Sequence, residues 1–432
     1  MITRARAVCG ALALALLTPV AAAAQPPNPF ADLFGRAPAR SGQEFTAVQF
    51  RTTAGAQVGQ TIRADFDQAD AVPEGAAGGA DASLLGQYLR DRVQAIGNGR
   101  YSYQEFRTPP AFGAPAFDVG GRVNYEVTTR LSVQGGGQYV RSPFFQAMWL
   151  APEFEGPPAS PVNSAILLMA NDTFELNAGA ISQYSQRSSL SLSGFARETR
   201  FTALANQRDQ IRGGRAMWKR QMSRAFALHA GYGRDQLQQS RGGVDERYVN
   251  ELIDLGVDFA KSLTMARRTT LGFVTETSVV REGGGPRHYR LNGTVAFEHH
   301  FLRTWVTQLA AKRATEFLPG FRGPVFTERG RAALAGYFSK RVLMNVNAEG
   351  GQGAVGVNDQ RQFMSYTGNA KITYGITRHI GVFTQYVYYN YQMPPDPFAL
   401  VTVPHLSRQA VSVGVQTWVS LIDKKKVPRD PR

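Results

Sequence analysis

The side chains with the strongest potential for chemistry are six histidines, because imidazole can act as a base or a metal ligand near neutral pH. His405 and Ser407 stand two residues apart, and a strand would place both on one face, where the ring could activate the hydroxyl. Arg408 follows directly, and no partner acid is apparent. A short match without its structural context is weak evidence. We therefore interpret the pair as a surface histidine beside a serine and predict no catalytic residues.

Three other motifs give no better site. Residues 351–356 match the Gly-x-Gly-x-x-Gly pattern of nucleotide binding, but a loop rather than a helix follows them. His299 and His300 are adjacent, so a strand would point them to opposite faces. Asp254 and Asp258 share a strand face but lie about 13 Å apart by the strand rise, too far to act together on one bond. The sequence therefore predicts no metal site and no cofactor.

The N-terminus has the layout of a secretory signal peptide. Two arginines precede an apolar run over residues 7–17, and three alanines end at residue 24, where a small-residue cleavage site is expected. We predict a signal peptide over residues 1–24. The single cysteine, Cys9, lies within it, so the mature chain has no disulfide and no thiol metal site.

The charge balance is strongly basic, since 48 Lys and Arg stand against 33 Asp and Glu and the formal net charge is +15. Arg-Gly-Gly occurs twice, starting at Arg212 and Arg241, but within or beside strand patterns rather than in a disordered tail. A secreted protein does not meet cytoplasmic nucleic acid, and a basic balance alone is weak evidence. We predict no nucleic-acid partner.

A short turn that carries arginine recurs along the chain. The arginines are separated by 57, 37, 43, 36, 38 and 37 residues, and the first gap holds a long loop. A near-constant period indicates a repeated supersecondary unit, here strand, short turn, strand and longer loop. The turn arginines are Arg130, Arg187, Arg224, Arg267, Arg303, Arg341 and Arg378.

The segments between the turns alternate apolar and polar residues, as strands with one apolar face do. No apolar run after residue 24 approaches the roughly 20 residues of a spanning helix. A β-sandwich would also alternate, but these segments are longer than its usual strands. Short turns alternate with long loops, as in outer-membrane barrels. We predict an all-β, antiparallel, up-and-down transmembrane barrel of 18 strands, with 16 as the alternative, short periplasmic turns and longer extracellular loops.

The barrel is expected over residues 56–421 of a bacterial outer-membrane protein. Residues 25–55 are rich in Pro, Ala and Gly at their start and read as a poorly ordered periplasmic lead-in. Residues 422–432 carry three consecutive lysines and two prolines and read as a basic periplasmic tail.

The lumen is the place where a site is expected, because rings of charged side chains set the selectivity of pores. The polar faces of the predicted strands supply twelve candidate lumen-facing residues: Glu175, Asn177, Arg197, Asp254, Asp258, Glu276, Arg290, Glu298, Asn345, Asn347, Glu349 and Lys371. Residues 142–171 form the longest loop, and long loops are usually functional. One hypothesis is that it constricts the lumen through aromatic residues, and the alternative is an extracellular hairpin extension. The candidate constriction residues are Phe144, Phe145, Trp149 and Phe154.

Residues 138–145, Gln-Tyr-Val-Arg-Ser-Pro-Phe-Phe, follow an arginine turn. This aromatic–Ser-Pro–aromatic strand end resembles that of porin-type barrels associated with bacterial exopolysaccharide systems. The resemblance implies export of a polysaccharide cargo, with periplasmic export components and outer-membrane lipids as partners and no catalytic residues to carry over. It is a fold-level analogy.

Two functions therefore stay open. The first is a pore or conduit, with exopolysaccharide as one cargo. The second is a non-transport surface barrel, an adhesin or a structural protein, with a lipid-modifying enzyme as a lesser form of the same alternative.

Overall fold

The computed structural model describes most of the chain between residues 44 and 426. The described ranges are 44–64, 75–106, 112–143, 170–201, 207–223, 226–241, 244–262, 269–282, 287–302, 304–321, 323–356, 361–392 and 405–426. Within these ranges, no helix is both long enough and apolar enough to cross a membrane.

The described chain forms one sheet of 18 antiparallel strands, each paired with its neighbour in sequence. The first strand also pairs with the last, so the sheet closes into a barrel. The prediction of 18 strands is confirmed. The strands are β1 (Glu44–Ala64), β2 (Gly75–Arg90), β3 (Val93–Phe106), β4 (Phe112–Thr128), β5 (Leu131–Ser142), β6 (Asn171–Ser185), β7 (Ser188–Phe201), β8 (Gln207–Gln221), β9 (Phe226–Arg241), β10 (Val244–Ser262), β11 (Thr269–Glu282), β12 (His288–Phe301), β13 (Trp305–Phe317), β14 (Pro324–Tyr337), β15 (Val342–Val355), β16 (Arg361–Gly375), β17 (Ile380–Gln392) and β18 (His405–Lys426).

The two ends of the barrel differ. Glu44 lies opposite Lys426 in register, so both ends of the described chain leave the barrel at one end, which we call the turn rim. Every even-numbered strand from β2 to β16 joins its successor at this rim. The seven connections that follow the even-numbered strands β4 to β16 carry the predicted turn arginines. The longer connections, including residues 143–170, leave the opposite end, which we call the loop rim.

The barrel extends beyond its predicted bounds. β1 begins at Glu44, twelve residues before the expected start at residue 56. β18 runs to Lys426, five residues past the expected end. Both extensions are held by the pairing of β1 with β18, which lies hundreds of residues away in sequence and cannot be seen in the local pattern.

One face of the wall is apolar and exposed, as a membrane-facing surface must be. On β6, for example, Phe174 and Leu176 are 49% and 48% exposed, while Glu175 and Asn177, which alternate with them, turn to the other face. Aromatic side chains mark both ends of this surface: Tyr184, Trp305 and Phe338 near the turn rim, and Tyr139, Tyr289 and Tyr366 toward the loop rim. A closed wall satisfies its backbone hydrogen bonds internally, which lipid demands. The protein is an outer-membrane β-barrel.

Candidate functional site: the barrel lumen

The face opposite the apolar surface lines the lumen, and it is rich in paired polar groups. The acidic wall, which we define as the lumenal face of β8–β11, carries six carboxylates and two cations among the residues whose side chains the structure describes. The carboxylates are Asp209, Asp235, Glu246, Asp254, Asp258 and Glu276, and the cations are Arg215 and Lys219. This part of the lumen therefore has a marked negative excess.

His229 of β9 lies at the centre of the acidic wall and is 4% exposed. Its Nε2 atom is 2.9 Å from Asp254 Oδ1, and its Nδ1 atom is 2.9 Å from Asp258 Oδ1. Nε2 is also in hydrogen-bond contact with the Thr275 carbonyl oxygen at 3.0 Å. The two aspartates, which the sequence analysis treated as too far apart to act together, thus flank one ring from a neighbouring strand.

The two cations of this wall complete the network. Arg215 Nη2 lies 3.0 Å from Glu276 Oε1, and its Nη1 lies 3.9 Å from Asp254 Oδ2. The Lys219 ammonium pairs with Asp258. Because His229 is enclosed by these groups, no solute in the lumen reaches its ring directly. The described residues also contain no group of three or more His, Cys, Asp or Glu arranged to hold a metal ion. We interpret the network as wall structure with a strong local field.

The opposite wall has the opposite charge. β1 and β10 are nine strands apart in the 18-strand ring, so the seam between β1 and β18 faces the acidic wall. The basic wall is the lumenal face of β16–β18 and β1–β3. Its described side chains include Asp81 and four cations: Arg51, Arg100, Lys371 and Arg408. Arg100 Nη2 lies 3.5 Å from Asp81 Oδ1, which leaves a positive excess.

Lys371 lies on this wall in a small polar cleft. Its Nζ atom lies 4.3 Å from the centroid of the Phe383 ring and donates to Gln416 Oε1 at 3.3 Å. The cleft is also lined by Gln57 and Gln385. Amides, charges and one aromatic face are the groups with which proteins bind polar solutes in pockets.

Several of the remaining candidates from the sequence have partners on other strands of the wall. Arg197 Nη2 lies 2.6 Å from Glu175 Oε2, and Glu349 stands directly opposite Arg331 in register. Glu298 accepts a hydrogen bond from Gln308 Nε2 at 3.3 Å. The Arg290 guanidinium lies 4.7 Å from the Phe326 ring centroid. Asn177, Asn345 and Asn347 lie opposite Phe195, Ala335 and Ala333 in their ladders, respectively.

A short connection reaches into the lumen at the loop rim. The strap, which we define as Leu318–Phe321 together with Gly323, lies between β13 and β14 and contacts strands four or more positions away around the barrel. The backbone N–H of Gly320 donates to Asp209 Oδ2 at 2.7 Å, and Gln239 Nε2 donates to the Phe321 carbonyl at 2.8 Å. Since β8 and β9 supply these partners, the strap crosses part of the lumen as a chord.

The strap is anchored by burial as well as by hydrogen bonds. Leu318 and Phe321 are 5% and 1% exposed. Gly320 and Gly323 both have φ of 87°, a left-handed conformation that glycine adopts without a steric penalty. Beneath the strap, an apolar cluster joins Phe317 of β13 to β8–β10 through Ile211, Leu237 and Tyr248. The expected constriction residues Phe144, Phe145, Trp149 and Phe154 lie outside the described residues.

The motifs singled out for chemistry do not assemble a catalytic site. His405 Nε2 is in hydrogen-bond contact with Asn390 Nδ2 at 3.2 Å, whereas the Ser407 hydroxyl donates to Tyr388 at 3.4 Å. Each thus takes a separate partner on β17. Residues 351–355 form part of β15 rather than a phosphate-binding turn before a helix.

No protein-family model matches the chain, and no curated protein matches it. Similar solved structures include the siderophore receptor PirA from Pseudomonas aeruginosa, with 9% identity, 89% of this chain and 81% of that chain covered, and a TM-score of 0.44. PirA from Acinetobacter baumannii has 7% identity, coverages of 88% and 81%, and a TM-score of 0.41. The FrpB iron transporter (F3-3 variant) from Neisseria meningitidis has 7% identity, coverages of 91% and 83%, and a TM-score of 0.42. Likeness at this level does not extend to ligands, and the strand pairing itself establishes the fold.

Proposed function

We propose that the protein is a conduit for polar solutes across the outer membrane. The observation that carries this proposal is the pair of oppositely charged walls that face each other across the lumen. Sixteen- to 18-stranded barrels are wide enough for an aqueous channel. The electric field between the two walls favours polar solutes, because their dipoles can align with it and their charged groups can approach the wall of opposite charge.

The cargo class that we propose is a saccharide chain. The support is the resemblance of residues 138–145 to barrels of exopolysaccharide systems, together with the amide-lined cleft around Lys371. Amide and charged side chains can exchange hydrogen bonds with sugar hydroxyls.

Planar-bilayer recording of the purified full-length protein tests the conduit. We expect stable conductance steps, and we expect added oligosaccharides to reduce the current in a length-dependent manner. A barrel that folds but never conducts would contradict the conduit. Conductance without any effect of oligosaccharides would contradict the saccharide cargo alone.

A non-transport surface barrel is the second candidate, and the strap is the observation that favours it. By crossing part of the lumen at the loop rim, the strap reduces the open cross-section. Absence of conductance in both the native protein and a strap-deleted variant would favour this candidate over the conduit.

The charged walls also predict ion selectivity. Replacing Arg51 and Lys371 by glutamine removes two positive charges from the basic wall. One unit charge about 4 Å from an ion in water-like surroundings contributes about 1 kcal/mol, or roughly a fivefold change in relative permeability. Because two charges are removed, we expect the variant to become more selective for cations by at least this factor, read as a shift of zero-current potential in a KCl gradient.

The matched control replaces Arg187 and Arg341, which are exposed at the turn rim, by glutamine. This control has the same loss of charge, but its substitutions lie outside the lumen. An equal shift of zero-current potential in both variants would show that the basic wall does not set selectivity.

A further inference from the structure

The outer surface of the barrel carries a basic region that the lumen does not use. The arginine patch, as we call it, lies on the membrane-side face of β7–β10 next to the loop rim. Its five arginines are all exposed, whereas three carboxylates share the same surface. The arginines are Arg200, Arg208, Arg212, Arg234 and Arg247, and the carboxylates are Glu198, Asp245 and Glu251.

The register of the strands defines how the patch ends. Arg234 of β9 lies opposite Gly214 and Glu251. The next row of membrane-facing side chains, which lies nearer the turn rim, has no charged residue among its paired positions. That row contains Leu192, Ala216, Tyr232 and Ile253. A basic surface therefore passes directly into an apolar one within a single row of side chains.

The depth of the patch follows from strand length. A membrane strand needs about 9–11 residues to cross the hydrocarbon layer. On β8, Arg220 lies at the turn rim, and Arg212 and Arg208 lie eight and twelve residues farther along. Arg212 and Arg208 thus lie at the far edge of the hydrocarbon layer, at the level of the lipid headgroups. With the long loops outside, as in outer-membrane barrels, this is the outer leaflet.

The contacts within the patch leave positive charge unbalanced. Arg200 and Arg208 stand directly opposite each other, an arrangement that like charges disfavour. Both pair with the one carboxylate of Glu198, and their side chains are still 69% and 47% exposed. Gln210 Nε2 donates to the same carboxylate at 3.2 Å.

The other two contacts are to neutral amides rather than to acids. Arg212 Nη2 donates to Gln210 Oε1 at 3.4 Å, and Arg247 Nη2 donates to Gln236 Oε1 at 2.7 Å. Amide oxygens position a guanidinium without neutralising it. The remaining N–H groups can form the parallel pairs of hydrogen bonds with which arginine binds phosphate.

We propose that the arginine patch binds the phosphorylated headgroup of an outer-leaflet glycolipid, whose acyl chains lie on the apolar rows of β7–β10 below it. The proposal rests on three observations together: the outward direction of the patch, its headgroup depth and its direct continuity with the apolar surface. A soluble phosphate would use the first two but would gain nothing from the third.

The test compares two full-length variants with matched charge loss. The patch variant carries Arg208→Gln, Arg212→Gln and Arg247→Gln. The control variant carries Arg187→Gln, Arg341→Gln and Arg378→Gln at the turn rim. Binding is measured in detergent micelles by native mass spectrometry, with lipid A as the probe and inorganic phosphate as a second probe. The heat-dependent gel shift of each variant verifies that its barrel is folded.

We expect lipid A to bind the native protein and the control variant alike and to bind the patch variant at least tenfold more weakly. We also expect inorganic phosphate at the same concentration to compete poorly with lipid A. Equal lipid A binding by the patch variant, or equal losses in both variants, would overturn the proposal. Full competition by inorganic phosphate would overturn its lipid component. Channel conductance does not enter either readout, so the outcome is independent of the conduit.

Discussion

Replacing Asp209 by alanine is expected to release the strap and to raise the conductance of the barrel. The Gly320 N–H would lose the carboxylate that now accepts its hydrogen bond at 2.7 Å. A buried donor without a partner costs about 1–3 kcal/mol. That cost would shift the ratio of released to seated strap by about 5- to 150-fold. Single-channel recording should show larger steps, or frequent transitions to a larger level.

Two controls identify the cause of such a change. Asp209→Asn keeps an oxygen that can accept the same hydrogen bond and should conduct more like the native protein than like Asp209→Ala. Asp118→Ala removes another lumenal carboxylate, which accepts from Gln138 Nε2 at 2.9 Å, far from the strap. If Asp118→Ala enlarged the steps as much as Asp209→Ala, loss of negative charge rather than release of the strap would be responsible.

The substitution Gly414→Val is expected to prevent closure of the barrel. Gly414 lies opposite Gly55 at the seam of β18 and β1. A Cβ atom at position 414 would lie 2.4 Å from the Ala54 carbonyl oxygen and 2.8 Å from the Phe383 ring. Because the obstacle is partly backbone, it cannot move aside as a flexible side chain can. Forced overpacking typically costs about 1–3 kcal/mol, occasionally more, and here the cost falls on the one contact that makes the sheet a barrel.

The heat-dependent shift on a denaturing gel measures this effect, because a closed barrel migrates differently before and after boiling. We expect the shifted band to be largely lost in Gly414→Val. Gly368→Val on β16 is the matched control, since nothing lies within 4 Å of a Cβ atom there. Should Gly414→Val keep the full shift, the close approach at the seam would not be essential for closure.

The number of strands could be predicted from the sequence, whereas the side-chain networks of the lumen could not. Alternation and the spacing of the turn arginines are local patterns, and a barrel of neighbouring hairpins is built from local pairings. The extension of β1 to Glu44 was missed because residues 44–55 are supported by β18, at the other end of the chain. Such a partner leaves no mark on the local composition.

The acidic wall is a second case in which contacts between strands are not visible in the local sequence pattern. Asp254 and Asp258 were recognised as sharing a face, and the strand rise gave a separation that argued against joint action. What brings them into one network is His229 on the preceding strand, and its position depends on the register between β9 and β10. Likewise, the contact of Gly320 with Asp209 depends on a chord across the barrel. The sequence of a single strand predicts neither its register with the next strand nor a contact across the lumen.

Because Glu44 pairs with Lys426, the first and last described residues of the barrel are neighbours in space. A short linker between these two positions would leave every described strand pairing intact, and new ends could then be opened in one of the long connections at the loop rim. A rearranged chain order is better tolerated when the new ends lie between strands than within them. In such a permuted chain the ends would emerge on the other side of the membrane, so a tag carried there would report directly which side each rim faces.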